Sequence, residues 1–152
     1  WIARRIAFAA ALLVAILQTG TVFLFQQTLQ TATTQTARLI MTGQAQTQNI
    51  GVATFLKDVC TASGNLFTCA NLSANIQTFS SFSGVQMNNP VSGGTFTTPS
   101  NYSLGGPGDI VLVQVFYQLP VVTAPLGFNM ATTSNGNAVI VATSVFRNEP
   151  YQ

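Results

Sequence analysis

Residues 6–25 read IAFAAALLVAILQTGTVFLF, twenty in a row without a charge. At 1.5 Å of rise per residue, such a helix is about 30 Å long, the thickness of a bilayer's hydrocarbon core. Two other structures could contain this run. A cleaved secretory signal has a shorter apolar stretch. A buried core helix of a soluble protein is seldom uncharged over this length. The expectation is therefore a single transmembrane helix. Arg4 and Arg5 stand immediately before the run, and the next basic residue is Arg38. That asymmetry is a topology signal: it predicts a cytoplasmic N-terminus, with everything after Phe25 outside. Trp1 fits an aromatic belt at the inner interface. Because the sequence begins at Trp1 rather than Met, a removed leader or further upstream residues are expected.

Within the run, Ala3, Ala7, Ala11, Ala15 and Thr19 recur every fourth residue and form a stripe of small side chains. Small residues let helix backbones approach closely in lipid, where packing replaces the hydrophobic drive. Gln18, Thr19 and Thr21 add hydrogen-bonding groups near the outer end. The expected partners of this face are other transmembrane helices, with membrane lipid around the remainder. The alternative is that Ala is simply common in membrane helices.

The chain continues from Gln26 to about Gln48 with no Gly before Gly43 and no Pro, rich in Gln, Thr and Ala. Missing breakers favour carrying the helix outward, to a total of about 65 Å. A second helical piece is expected over 52–59, after Gly51. Cys60 and Cys69 are the only cysteines, separated by the turn-rich TASGNLFT. In an exported domain such a pair reads as a disulfide. From residue 72 the period changes to two. Strands are expected from Leu72 to near Phe82 and from Ile110 to Leu119, where Pro120 stops the second. A hairpin is expected between 128–133 and 138–146, around Asn135-Gly136. Residues 83–109 read as loop. The fold class is therefore α+β: a long N-terminal transmembrane helix extending into a small external domain with a three- to four-stranded antiparallel sheet. The expected divisions are a cytoplasmic stub at 1–5, the span at 6–25, a helical extension at 26–59 and a disulfide-bonded β-rich domain at 60–152.

Charged residues make up 5% of the chain and the net charge is +2. Nucleic-acid binding, which needs a basic face, is not expected. The chain has no His, and its three acids, Asp58, Asp109 and Glu149, are widely spaced. Acid–base catalysis needs titratable groups within hydrogen-bond reach, so no enzyme is expected. Nor is a cofactor, a metal or a small-molecule substrate. GGPGD at 105–109 lacks the Lys of a phosphate loop and reads as a turn. The glycosylation sequons at Asn71 and Asn101 read as accidental matches.

Residues 20–38, with Phe25-Gln26-Gln27-Thr28-Leu29-Gln30 inside and Ala37-Arg38 at the end, resemble the TadE-like domain of tight-adherence pilus systems. Members have an apolar helix followed by a QQ-x-L-x-x-A…AAR segment. Gly108-Asp109-Ile110-Val111 and the stretch 142–150 are similar to the end of that family's longer members, and the paired Cys60 and Cys69 suit the same group. The resemblance implies a pilin-like fold and a minor pilin or pseudopilin, non-catalytic, acting in assembly of an adhesion pilus. It implies the bacterial inner membrane, with the C-terminal domain periplasmic and pilus assembly components as partners. Processed members carry a Glu near the mature N-terminus; here Arg4 and Arg5 stand in that region, without an acid. Gln18 stands where some members have a second Glu within the membrane. These departures, with the Ala stripe, suggest an alternative: a single-span accessory subunit of another membrane complex, respiratory or photosynthetic, recruited from a TadE-like protein.

Overall fold

The structure, a computed structural model, describes residues 2–121 and 129–151. Helix α1 (Ile2–Met41) is continuous over 40 residues. A Thr-rich stretch is a mediocre helix former, because its hydroxyls compete for backbone groups. Here the competition is turned inward. Thr19, Thr21, Thr28, Thr31, Thr34 and Thr36 each donate to the carbonyl four residues back, at 2.8–3.0 Å. The helix stops seven residues before the expected Gln48. Gly43 takes a left-handed φ of 78° and its N–H bonds Ile40 O at 3.1 Å, which turns the chain. A Cβ there would also collide with the Tyr151 ring. One further turn, α2 (Gln44–Thr47), leads to α3 (Val52–Ala62), longer at its C-terminal end than the expected 52–59 and carrying Cys60 in its last turn.

Strands β1 (Leu72–Phe79), β4 (Ile110–Pro120) and β5 (Asn137–Arg147) form an antiparallel sheet in the order β1-β4-β5. Its register runs Leu72↔Tyr117 to Phe79↔Ile110 and Ile110↔Arg147 to Pro120↔Asn137. A two-stranded ribbon, β2 (Val91–Ser92) with β3 (Thr95–Phe96), stands apart. The observed architecture is thus α+β: one long apolar helix joined to a small antiparallel sheet.

Both faces of β4 are buried, for different reasons. Val111, Val113, Val115, Tyr117 and Leu119 pack with Leu29, Ala32, Ala37 and Ile40 of α1 and with Phe55 and Val59 of α3. Leu112, Gln114 and Phe116 point the other way, yet are no more than 2% exposed. The segment 83–109, expected as mere loop, covers them. Phe96 sets its ring edge-to-face with Phe116 at 6.3 Å. Gln114 is held by Asn75, whose Nδ2 donates to its Oε1 at 3.1 Å, and by the Asn88 backbone N–H at 3.0 Å. A buried Gln is tolerable only when paired in this way.

The hairpin expected around Asn135-Gly136 is not formed as such. Phe128 lies outside the described residues, and 129–133 are not a strand. Gly136 alone takes a positive φ, 77°, and its N–H bonds Thr133 O at 3.2 Å. A type I′ turn needs both central residues at positive φ. The chain instead makes an ordinary tight turn into β5, whose ladder partner is β4.

Candidate functional site

The two halves of α1 meet different surroundings. Ile2, Ile6, Phe8, Leu12, Leu13, Val14, Ile16, Leu17, Phe23 and Leu24 are all exposed, Ile2 to 76% and Leu17 to 69%. Leu29, Ala32, Thr33, Thr36, Ala37 and Ile40 are buried. The N-terminal half is long and apolar enough to cross a membrane. Leaving these side chains in water would forgo on the order of 10 kcal/mol or more of apolar transfer energy. That is comparable with the whole stability of a small domain, about 5–15 kcal/mol.

The residues singled out in the sequence fall along this half. Ala3, Arg4, Arg5, Ala7 and Thr19 are exposed, Ala15 and Gln18 half-buried and Ala11 buried. Thr19 Oγ1 donates to Ala15 O at 2.9 Å, so its proton serves its own helix rather than a neighbouring one. Trp1 lies outside the described residues. Cys60 and Cys69 are joined as a disulfide, Cα–Cα 5.7 Å, closing the loop between α3 and β1. Beside it, Phe67 sets its ring edge-to-face with Phe25 at 5.4 Å and with Tyr117 at 4.8 Å. This aromatic group lies where the exposed half of α1 gives way to the buried half.

Two residues of the Phe25–Gln30 segment have a role that sequence reasoning missed. β5 is an outer strand, with backbone groups free on one side. Gln30 supplies them with a substitute strand: its Nε2 donates to Thr143 O at 2.8 Å, and its Oε1 accepts from Thr143 N–H at 3.1 Å. One turn earlier, Gln26 Nε2 donates to Val141 O at 2.6 Å. Lower on the same edge, Thr132 Oγ1 accepts from Val139 N–H at 2.8 Å. The i, i+4 spacing of Gln26 and Gln30 was the available signal, since it matches two residues of an extended strand. On the opposite edge, Ile76 of β1 receives Ser103 N–H on its carbonyl at 2.9 Å and donates to Asn101 O at 3.0 Å. Both edges are therefore occupied at their centres.

Among the described residues, no group of three or more His, Cys, Asp or Glu is placed to hold a metal. Tyr102 donates to Ile50 O at 2.7 Å, and burial pushes its pKa above the usual tyrosine value. Arg147 and Asp109 flank the distal end of β4 and β5, and Glu149 N–H bonds Met41 O at 2.8 Å. Comparison with known protein families, with curated proteins and with solved structures finds no match.

Proposed function

We propose that this chain is a membrane-anchored, non-catalytic assembly protein of the TadE-like kind, a minor pilin or pseudopilin acting in assembly of an adhesion pilus. In this reading the N-terminal half of α1 spans a bacterial inner membrane, with Arg4 and Arg5 cytoplasmic and the disulfide-bonded domain periplasmic. The supporting observation is the single continuous helix, apolar and exposed over one half and built into the domain core over the other. Such a helix transmits position rigidly from the apolar segment to the domain. The capped sheet edges complement it: strand addition is blocked at Thr143 and Ile76, leaving the exposed helix as the surface for association.

The alternative, an accessory subunit of another membrane complex, draws on a specific feature. Arg4 and Arg5 stand in the region where processed pilins carry a Glu that pairs with a neighbouring subunit's amine. In both readings the Ala stripe of α1 packs against another helix.

The test is purification of tagged full-length chain in mild detergent after cross-linking in cells. Expected is recovery from the membrane fraction with pilus-assembly components; recovery with a cofactor-bearing complex supports the alternative. Ala7→Leu, at an exposed position of the stripe, puts a bulky side chain into it and is expected to abolish co-purification while the chain stays in the membrane. Full association of that variant would show that the stripe is not the contact. Extraction of the wild type by alkaline carbonate without detergent would refute the membrane assignment itself.

A further inference from the structure

The hydrogen bonds between α1 and β5 fix how deep the sheet sits beside the apolar helix. Gln26 reaches Val141 and Gln30 reaches Thr143. Four helical residues advance about 6 Å and two strand residues about 6.6 Å, so α1 and β5 run side by side in the same direction. Asn137, the first residue of β5, lies four residues below Val141, or about 13 Å. On the helix that descent corresponds to about nine residues below Gln26, at the level of Leu17. A separate observation agrees. Pro120 pairs with Asn137, and Leu119, Pro120 and Val121 line one crevice with Val14, Leu17 and Val22 and with the polar Gln18 and Thr21.

The apolar run continues to Phe25. The base of the sheet therefore overlaps it by about eight residues, or about 12 Å. Setting the domain wholly above a bilayer would leave only residues 6–17, about 18 Å of helix, to cross a hydrocarbon core of about 30 Å. A bilayer that takes in residues 6–25 must also take in the base of the sheet.

We propose that this base, the crevice formed by Leu119–Val121 against α1, is a lipid-contact surface seated within the outer leaflet of the bilayer. The domain sits in the membrane surface rather than above it. The charge distribution fits that placement. After Arg5, the charged residues are Arg38, Lys57, Asp58, Asp109, Arg147 and Glu149. Arg38 is in the last turn of α1, and Asp109, Arg147 and Glu149 are at the distal end of the sheet. Lys57 and Asp58 are about a turn before Ala62, which shares a crevice with Gln27, Thr28, Thr31 and Gln35 of α1. None is at the base. Leu66, 42% exposed beside the Phe25–Phe67 contact, adds apolar surface at the upper rim.

The inference rests on the membrane reading, and the experiment separates the two. With Cys60 and Cys69 joined, one introduced cysteine is the only free thiol. Full-length Leu13→Cys, Val121→Cys and Val145→Cys chains are labelled with an environment-sensitive fluorophore. Each is reconstituted in phosphatidylcholine–phosphatidylglycerol vesicles carrying nitroxide lipids, either mid-chain or at the headgroup. The Leu13 label is expected to lose most of its emission to the mid-chain nitroxide. The Val121 label, near the level of Leu17, should also be quenched, more by the mid-chain than by the headgroup nitroxide, and the Val145 label, near the distal end, should keep its emission with both. A Val121 label that behaves like the Val145 label, with Leu13 quenched, overturns the seated base and leaves the anchor standing. An unquenched Leu13 label overturns the anchor and the seating together. Should Val121→Cys fail to fold, Leu66→Cys reads the upper rim of the seated surface: quenching chiefly by the headgroup nitroxide is expected, and a Leu66 label that behaves like the Val145 label overturns the seating.

Discussion

The two halves of α1 are one helix by every local measure and opposite in what surrounds them. The first half has Leu, Ile, Val, Phe and Ala around its circumference and stands exposed. The second replaces most of these with Thr and Gln and buries a narrow line of Leu29, Ala32, Ala37 and Ile40. A helix apolar all round has no water-facing side, whereas one with a single apolar stripe is made to cover a sheet. Helix propensity does not distinguish them. The difference lies in the partner each composition can accept. The boundary is at Phe25 and Gln26, where an aromatic contact is followed by the first of the two side chains that clip β5.

The largest effect expected from breaking the comparison is at matched leucines. Leu29→Ala empties a fully buried site and should cost the domain about 2–5 kcal/mol. Leu13→Ala, 60% exposed in the apolar half, should leave domain stability within about 0.5 kcal/mol. Urea unfolding in detergent, followed by the near-ultraviolet signal of the Phe25, Phe67 and Tyr117 group, measures both. Equal losses would mean that the halves are not energetically distinct.

Next comes the disulfide. The double variant Cys60→Ser, Cys69→Ser should lose about 2–3 kcal/mol, the chain-entropy value for a loop this short. The loss should fall on the domain, with helical signal from the apolar half retained. Intact protein alkylated under denaturing, non-reducing conditions should show no free thiol by mass.

Gln30 sharpens the comparison further. Gln30→Ala removes both hydrogen bonds to Thr143 and should cost about 1–3 kcal/mol, because two backbone groups lose their partner. It also opens the edge of β5, so light scattering should reveal faster aggregation. Gln27→Ala, its exposed neighbour, should change stability by less than about 0.5 kcal/mol. If both variants behave alike, the clip contributes nothing.

Much of this was legible in advance, and the reasons are specific. The length of 6–25 without a charge marked the exposed half. A period of two marked β1, a nearly continuous apolar run ending at Pro120 marked β4, and the pairing of two lone cysteines needed only a turn between them. The clip was not legible, because Gln30 and Thr143 are 113 residues apart and nothing local in either segment announces the other. The second face of β4 escaped for a related reason. Gln114 is a polar residue inside a strand, and only the distant Asn75 and Asn88 make its burial tolerable. Asn135-Gly136 signalled a hairpin, yet β4 is the ladder partner of β5 and the strand expected over 128–133 is absent from the described part of that segment. Local pattern identified the elements; pairings across the whole chain decided which faces and edges were covered.

The smallest effect concerns the far side of the core, where Tyr102 ties the loop before α3 to the parallel bridge with β1. Its hydroxyl donates to Ile50 O at 2.7 Å and is partly withdrawn from solvent, which raises its pKa above 10.0 by disfavouring the phenolate. The unfolded chain then releases this proton at lower pH than the folded protein does. Below pH 10 the folded state binds no more protons at this site than the unfolded state, so the contribution is complete and flat. As pH rises from the unfolded value through the folded one, the unfolded state binds fewer protons and stability falls. Tyr102→Phe removes both the hydrogen bond and the titration. At neutral pH it should be less stable than wild type by about 0.5–1.5 kcal/mol. Above pH 10 the gap should narrow, because only the wild type loses stability from this group. Unfolding of the two proteins side by side from pH 7 to 11 makes the measurement, with every other titrating group cancelling in the difference. A gap that stays constant across that range would mean that the Tyr102 hydroxyl is no harder to ionise in the fold than in the open chain.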